Sequence, residues 1–341
     1  MELDLKQGRA ALLPFERDVL ATCRARRLLG PNEGVMVALS GGPDSTALLA
    51  CLAALRDTGA CGRVSACHVD HQLRAGSGAD AVACEELCAR LGVPLERVAV
   101  SVQPGNVQGM ARRARYAALR AAAARAGAAR LATGHTRSDQ AETVILRLVS
   151  GAGARGLAGI PPRRGMIVRP LIDRSRAEVV AYLRERGLPW LEDPTNASPR
   201  FDRNRARRDV LPALEALRPG AEAALARAAD LLRADERALE RLARALVPSG
   251  AREASVDALA SAPEAVTARA VRRLWREATG SRRGLEAHHV AAVVRLFGRG
   301  RPGRVSLPGG RVAEVRRGAL RITTPVEKPA VSPRGGAGEL L

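Results

Sequence analysis

Lysine is nearly absent from this 341-residue chain: Lys6 and Lys328 are the only two, so arginine supplies almost all of the 55 basic residues. Aromatic residues are scarce as well, at 2%. No apolar run reaches the roughly 20 residues that a membrane span needs, so no membrane partner is expected. The opening segment, MELDLKQGRAALLPFERDVL, carries acids early and lacks the charged-then-apolar order of a secretory signal. The expected compartment is the cytoplasm. None of the six cysteines (Cys23, Cys51, Cys61, Cys67, Cys84, Cys88) belongs to a C-x-x-C pair, and they read as reduced, mostly buried thiols. Cys84 and Cys88 lie one helical turn apart and, with His68 or His71, offer a metal set. The segment ACEELC that holds them nevertheless reads as an ordinary amphipathic helix. There is no G-x-x-x-x-G-K-[ST] loop, which argues against kinase-type or GTPase-type phosphate binding. No repeat of 20–50 residues is present.

What is there begins with charge. The formal net charge of +20 favours a polyanionic partner such as nucleic acid, although part of the basicity reflects a compositional leaning toward Arg and Ala. Hydrophobic residues at 46% permit a packed core and exclude wholesale disorder. Short apolar runs at 34–39, 63–69, 95–100 and 131–135 read as strands. Helical periodicity fills 44–56, 80–91, 106–126 and 139–149 between them. Such alternation predicts an α/β fold, a parallel sheet wrapped by helices, with ligands at the carboxyl ends of the strands. From about Pro219 the pattern becomes helical, through 219–247, 261–279 and 285–297, and closes on three short strands near 304–307, 312–315 and 319–322. The predicted organisation is a first domain over 1–217, a smaller, mainly helical domain with a short sheet over 218–324, and a disordered Pro/Gly-rich tail over 325–341.

The sequence VMVAL-SGGPDS-TALLACL sets Ser40, Gly41, Gly42, Pro43, Asp44 and Ser45 between a strand and a helix. Two glycines let the backbone approach an anion, and the following helix aims its free N–H groups and positive dipole end at the loop. This is a phosphate cradle; the alternative is an ordinary turn capped by Ser or Asp. S-G-G-x-D-S after a first apolar strand resembles the pyrophosphate loop of the ATP pyrophosphatases, the PP-loop superfamily. A second glycine pattern, Gly151, Gly153 and Gly156, follows a helix rather than a strand and so does not read as a dinucleotide fingerprint.

In LATGHTRSDQAET, Asp139 and Glu142 are three apart and share a face near a helix start. Paired carboxylates there suit Mg²⁺, which prefers oxygen ligands; the competing role is capping, with Ser138 as the cap. Farther on, Arg200, Arg203, Arg205, Arg207 and Arg208 form a dense basic stretch suited to RNA phosphate. Phe201 and Trp190 are candidates to stack on a base, with the core the first reading for Trp190.

The stretch G-H-x-x-x-D-Q-x-E-T resembles the second ATP-site motif of the tRNA(Ile)-lysidine synthetase family, the tRNA-modifying branch of the superfamily. HVDHQLR (68–74), ARRARY (111–116), Arg169–Leu171, Glu192–Asn196 and Arg203-Asn204 with Arg207 resemble further motifs of that family, in the same order. One departure is Gln108, where an acidic residue is expected. The resemblance covers roughly residues 30–215. It implies an adenine-nucleotide hydrolase-like PP-loop domain that uses ATP and Mg²⁺ to join free L-lysine to C2 of the wobble cytidine of tRNA(Ile) bearing a CAU anticodon. It further implies ATP contacts from Ser40–Ser45, Arg112 and His135, and metal and nucleophile handling by Asp44, Asp139 and Glu142, with the metal on Asp139 and Glu142. tRNA contacts are implied for Arg203, Asn204, Arg205 and Arg207. A homodimer stays open. Two rivals are a tRNA 2-thiolation enzyme, which would use a cysteine pair to carry sulfur or an iron–sulfur cluster where this chain has no C-x-x-C, and a catalytically dead RNA-binding module.

Overall fold

The structure is a computed structural model that describes residues 11–70, 77–100, 107–192, 202–281, 284–297 and 303–324. The chain divides into two compact units, Met1–Arg233 and Ala234–Leu341. The division falls within a long helix, whereas the change of sequence pattern sets the predicted boundary at 217/218, just ahead of that helix.

The first unit opens with α1 (Pro14–Ala25), β1 (Val35–Leu39), α2 (Pro43–Asp57), β2 (Val64–Asp70), α3 (Ser77–Arg90), β3 (Leu95–Ala99) and α4 (Val107–Arg125). It continues through β4 (Arg130–Ala132), α5 (Arg137–Val149), α6 (Ala154–Leu157), β5 (Arg163–Arg164), β6 (Ile167–Val168) and α7 (Arg176–Glu185). After α8 (Asp202–Arg205) a π-helical turn (Ala206–Val210) leads into α9 (Leu211–Leu217) and α10 (Ala221–Leu246). The sheet order is β3-β2-β1-β4-β6-β5, parallel except for the antiparallel β5–β6 pair.

The predicted α/β alternation is present. Strand β1 is apolar throughout because a central parallel strand is covered on both faces. Val35, Val37 and Leu39 face the layer formed by α1, α2 and α7, while Met36 faces Leu119, Ala122 and Ala123 of α4. Chain connections leave β1 and β4 in opposite directions across the sheet, β1 leading to β2 and β4 to β6. That switch places a crevice at their carboxyl ends.

Helices α1 and α7 were not foreseen. They lie together under the sheet: Phe15 stacks on Tyr182 at 4.4 Å, and the buried Glu16 accepts hydrogen bonds from the Tyr182 hydroxyl at 2.7 Å and from Arg186. Trp190 is partly buried against this core, in line with its structural reading. All six cysteines are free and buried, and burial raises the thiol of Cys84 to about 12 and that of Cys88 to about 11. Both are packed on α3 as part of the core. His68 is buried at the end of β2, its Nδ1 lying 3.1 Å from the Leu39 carbonyl and 3.5 Å from the Cys84 sulfur.

In the second unit, β7 (Glu253–Ser255), α11 (Val256–Ser261), α12 (Glu264–Thr279), α13 (Ala287–Phe297), β8 (Gly303–Leu307), β9 (Arg311–Arg316) and β10 (Ala319–Thr323) follow in order. The antiparallel sheet β7-β10-β9-β8 holds the three predicted strands and adds β7, whose three residues are too few to show a period. Leu274, Val271, Val293 and Leu320 form its core. Among the described residues, no helix is long and apolar enough to cross a membrane. His71–Arg74, Asp193–Asn196, Arg200, Phe201, the Gln108 side chain and the tail at 325–341 lie outside the described residues.

Candidate active site

The loop after β1 needs its first glycine: Gly41 has φ +79° and its carbonyl accepts from the Leu191 N–H at 2.9 Å. A Cβ at Gly41 would sit 2.4 Å from Leu191 Cδ1. Helix α2 begins at Pro43 with Gly42 as N-cap and no side-chain cap, so the capped-turn alternative for this loop does not hold. Instead the Ser45 hydroxyl turns back, donating to the Gly42 carbonyl at 3.0 Å and accepting from the Ser40 N–H at 3.2 Å. The start of α2 is thereby left without a side-chain cap, with the free amides and positive dipole end of a helix N-terminus beside the loop.

Strand β4 stops at Ala132, three residues short of the predicted His135, and α5 starts at Arg137. The cap is Thr136, not Ser138. Its hydroxyl accepts from the Asp139 N–H at 3.3 Å, while Asp139 Oδ2 accepts from the Thr136 N–H at 2.8 Å. T-x-x-D is a capping box with a shorter acid, and it pins Asp139 by one oxygen. Gly134, between β4 and that cap, runs against the loop: a Cβ there would lie 2.9 Å from the Asp44 carbonyl carbon.

Three carboxylates and three guanidiniums meet at this edge. Asp139 Oδ1 accepts from Arg203 at 2.7 Å, and the fully buried Glu142 accepts from Arg203 Nε at 2.7 Å and from Arg207 Nε at 2.6 Å. Asp44 Oδ2 accepts from Arg176 at 3.0 Å, and its buried Oδ1 has no hydrogen-bond partner among the described residues. Burial alone would raise Asp139, but Arg203, His135 and the Thr136 N–H outweigh it and hold its carboxyl below the usual range. Asp44 goes the other way, raised from 3.8 to about 6: burial dominates, Arg176 opposes it, and Asp139 and Glu142 add to it. His135 is pushed down to about 4 by burial, against the pull of Asp139, and is a neutral imidazole at pH 7; its Nδ1 lies 2.9 Å from the Thr133 hydroxyl.

The raised Asp44 carboxyl predicts a stability signature. Between about pH 4 and 6 the folded chain binds more protons at Asp44 than the unfolded chain does, so this group's contribution falls as pH rises through that window. Asp44→Asn in the metal-free protein is expected to raise the melting temperature above pH 6, with the gain vanishing near pH 4. A gain independent of pH would remove the carboxyl as its source.

Of the remaining sequence candidates, Ser40 is exposed at the crevice and Arg112 is exposed over the Tyr116 ring at 5.1 Å. Arg169, from the R-P-L piece, is buried, donates to the Pro161 carbonyl at 2.5 Å and bears on His135. Arg203 and Arg207, expected to face RNA, turn inward onto Asp139 and Glu142. Asn204 is buried, and Arg205 is exposed on the other side of the same short helix. The π turn holds Arg207, and turns of this kind recur at functional sites. Sequence reasoning missed Thr136, Gly134 and Arg176. The first two lie inside LATGHTRSDQAET, where neither carries a charge to mark it; Arg176 is 132 positions from Asp44 and carries no local signal.

Comparison with known proteins adds three findings. Residues 15–214 match the family described as "PP-loop domain". The chain is 42% identical to a tRNA(Ile)-lysidine synthase of Salinispora arenicola, over 93% of this chain and 98% of that one. It is also 42% identical to that of Solibacter usitatus (87% and 69%) and 46% identical to that of Pseudomonas fluorescens (61% and 48%), so it spans about half the length of the last. Among solved structures, a U34-tRNA thiolase from Methanococcus maripaludis with its [4Fe-4S] cluster aligns at TM-score 0.55 and 20% identity, covering 64% of this chain and 78% of that one, a likeness of fold alone. From the loop, the capped acids and these matches together, the chain belongs to the tRNA(Ile)-lysidine synthase family.

Proposed function

We propose that this chain ligates free L-lysine to C2 of the wobble cytidine in the CAU anticodon of tRNA(Ile), using ATP. The observation that carries this reading is the meeting, at one crevice, of an uncapped helix start behind Ser40–Ser45 with the acids Asp44, Asp139 and Glu142. Cytidine O2 attacks the ATP α-phosphorus, and the bond to pyrophosphate breaks. The lysine ε-amine then attacks C2, the C2–O2 bond breaks, AMP leaves, and the amine gives up a proton. A carbonyl oxygen departs poorly until it is a phosphate ester. The loop amides meet the charge that gathers on pyrophosphate.

Mg²⁺ fits the donors present: hard carboxylate oxygens, one of which, Asp44 Oδ1, is buried without a hydrogen-bond partner among the described residues. Asp139 and Glu142, with Asp44 beside them, would hold it, and when bound it would neutralise phosphate charge. Arg203 and Arg207 offset part of the acids' charge. Neutral His135, with Arg112 at the rim, suits contact with adenine or phosphate. Lysine bears its ammonium toward an acidic cluster, and one of these carboxylates takes the proton. The cytoplasm, where tRNA and ATP are found, is the proposed setting, and the helical second domain is proposed to grip the tRNA body.

The direct test is incorporation of labelled lysine into a tRNA(Ile) transcript with ATP present; a mass gain equal to sulfur on the base, or no incorporation, would overturn the reading. For the segment holding Arg203, Asn204, Arg205 and Arg207, the exposed Arg205 is the phosphate contact this geometry favours. Arg205→Ala is expected to weaken tRNA binding and lower the slope of log affinity against log salt by about 1. An unchanged slope would remove Arg205 from the interface.

A further inference from the structure

Arg176 stands at the first position of α7, a place where a cation opposes the helix dipole. The cap next to it is complete without it: the Ser175 hydroxyl accepts from the Glu178 N–H at 3.1 Å, and Glu178 accepts from the Ser175 N–H at 2.7 Å. The Arg176 charge is therefore not explained by α7. Its guanidinium crosses to the start of α2 and takes one oxygen of Asp44. Its backbone is pinned from the other side. The Arg176 N–H donates to the Ser138 hydroxyl at 3.0 Å, and that hydroxyl donates to Glu222 at 2.9 Å. Glu222 also accepts from Arg137 at 3.0 Å. The catalytic helix α5 thus holds the main chain from which Arg176 reaches the loop. The outcome is an Asp44 with Oδ2 tied and Oδ1 buried and, among the described residues, without a hydrogen-bond partner.

We propose that Arg176 is a positioning residue, one that acts through Asp44 by fixing which carboxylate oxygen faces the nucleotide. This rests on the reading of the crevice as the ATP site. It does not depend on lysine or tRNA. Arg176 is half-buried, so its charge is also near enough for a direct phosphate contact, and the experiment must separate the two roles.

The separation comes from a double-mutant cycle on binding of a non-hydrolysable ATP analogue with Mg²⁺, followed by calorimetry, using Arg176→Gln, Asp44→Asn and the pair. Arg176→Gln alone is expected to weaken binding about tenfold, and in the Asp44→Asn background it should add less than about twofold, since its object is gone. Arg176→Lys keeps the charge with a shorter reach and is expected to fall between, at unchanged melting temperature. Losses that add in full across the cycle would assign Arg176 to the phosphate and overturn the positioning role, as would wild-type affinity in Arg176→Gln. The wild-type chain settles the other question separately: analogue binding with no lysine incorporation would overturn the proposed reaction and leave the cycle readable.

Discussion

Asp139→Asn is expected to abolish adenylation, read as tRNA-dependent pyrophosphate release, by about 10³-fold, while tRNA retention survives. The substitution keeps the size of the side chain and removes the charge. Asp139 is nine-tenths buried, and one of its oxygens closes the Thr136 capping box while the other meets Arg203. An amide can still accept from the Thr136 N–H with its oxygen, so the start of α5 should persist. Its NH₂ must then face Arg203, which retains Glu142 as a partner. What disappears is a carboxylate whose pKa is held below its ordinary range, at the place where ammonium and metal charge are expected. Filter binding of tRNA alongside the release assay separates function from fold. Loss of both together would mean that Asp139 is structural, and undiminished release would take it out of the reaction altogether.

Gly134→Ala should be nearly as severe by a different physical route. A methyl group at this position would approach the Asp44 carbonyl carbon and oxygen at 2.9 Å and the Ser45 nitrogen at 3.0 Å. All three are backbone atoms, so no side chain can rotate away, and either the loop or the β4–α5 connection must move. Overpacking of this kind costs about 1–3 kcal/mol, and here the displacement falls on the first turn of α2. The expected result is a lowered melting temperature together with at least a tenfold loss of affinity for an ATP analogue. Gly78→Ala serves as the control, since nothing lies within 4 Å of a Cβ built there. Wild-type affinity in Gly134→Ala would show that the loop tolerates the shift and that its placement is not what binds the nucleotide.

The sequence alone determines what depends on near neighbours in the chain. β1, the glycine loop and the start of α2 form one continuous stretch whose apolar run, backbone freedom and helix onset are local properties. The helical repeat alone puts Asp139 and Glu142 on one face. The true cap is local too, written as T-x-x-D from Thr136 to Asp139, with Ser138 a competing cap type two residues on. Short elements escaped, because β5, β6 and β7 have too few residues to display a period, and α1 and α7 earn their burial from each other through Phe15 and Tyr182.

Tertiary structure decided the rest. Strand order put the ends of β1 and β4 side by side, which no local pattern encodes. Five clustered arginines look alike as a string, yet a short helix entering a π turn sends Arg203 and Arg207 onto buried acids and leaves Arg205 in solvent. Arg176 reaches Asp44 only because α7 packs on α2. A buried charge must find an opposite charge wherever the chain brings one, and the sequence separation of the two partners is then set by the topology alone.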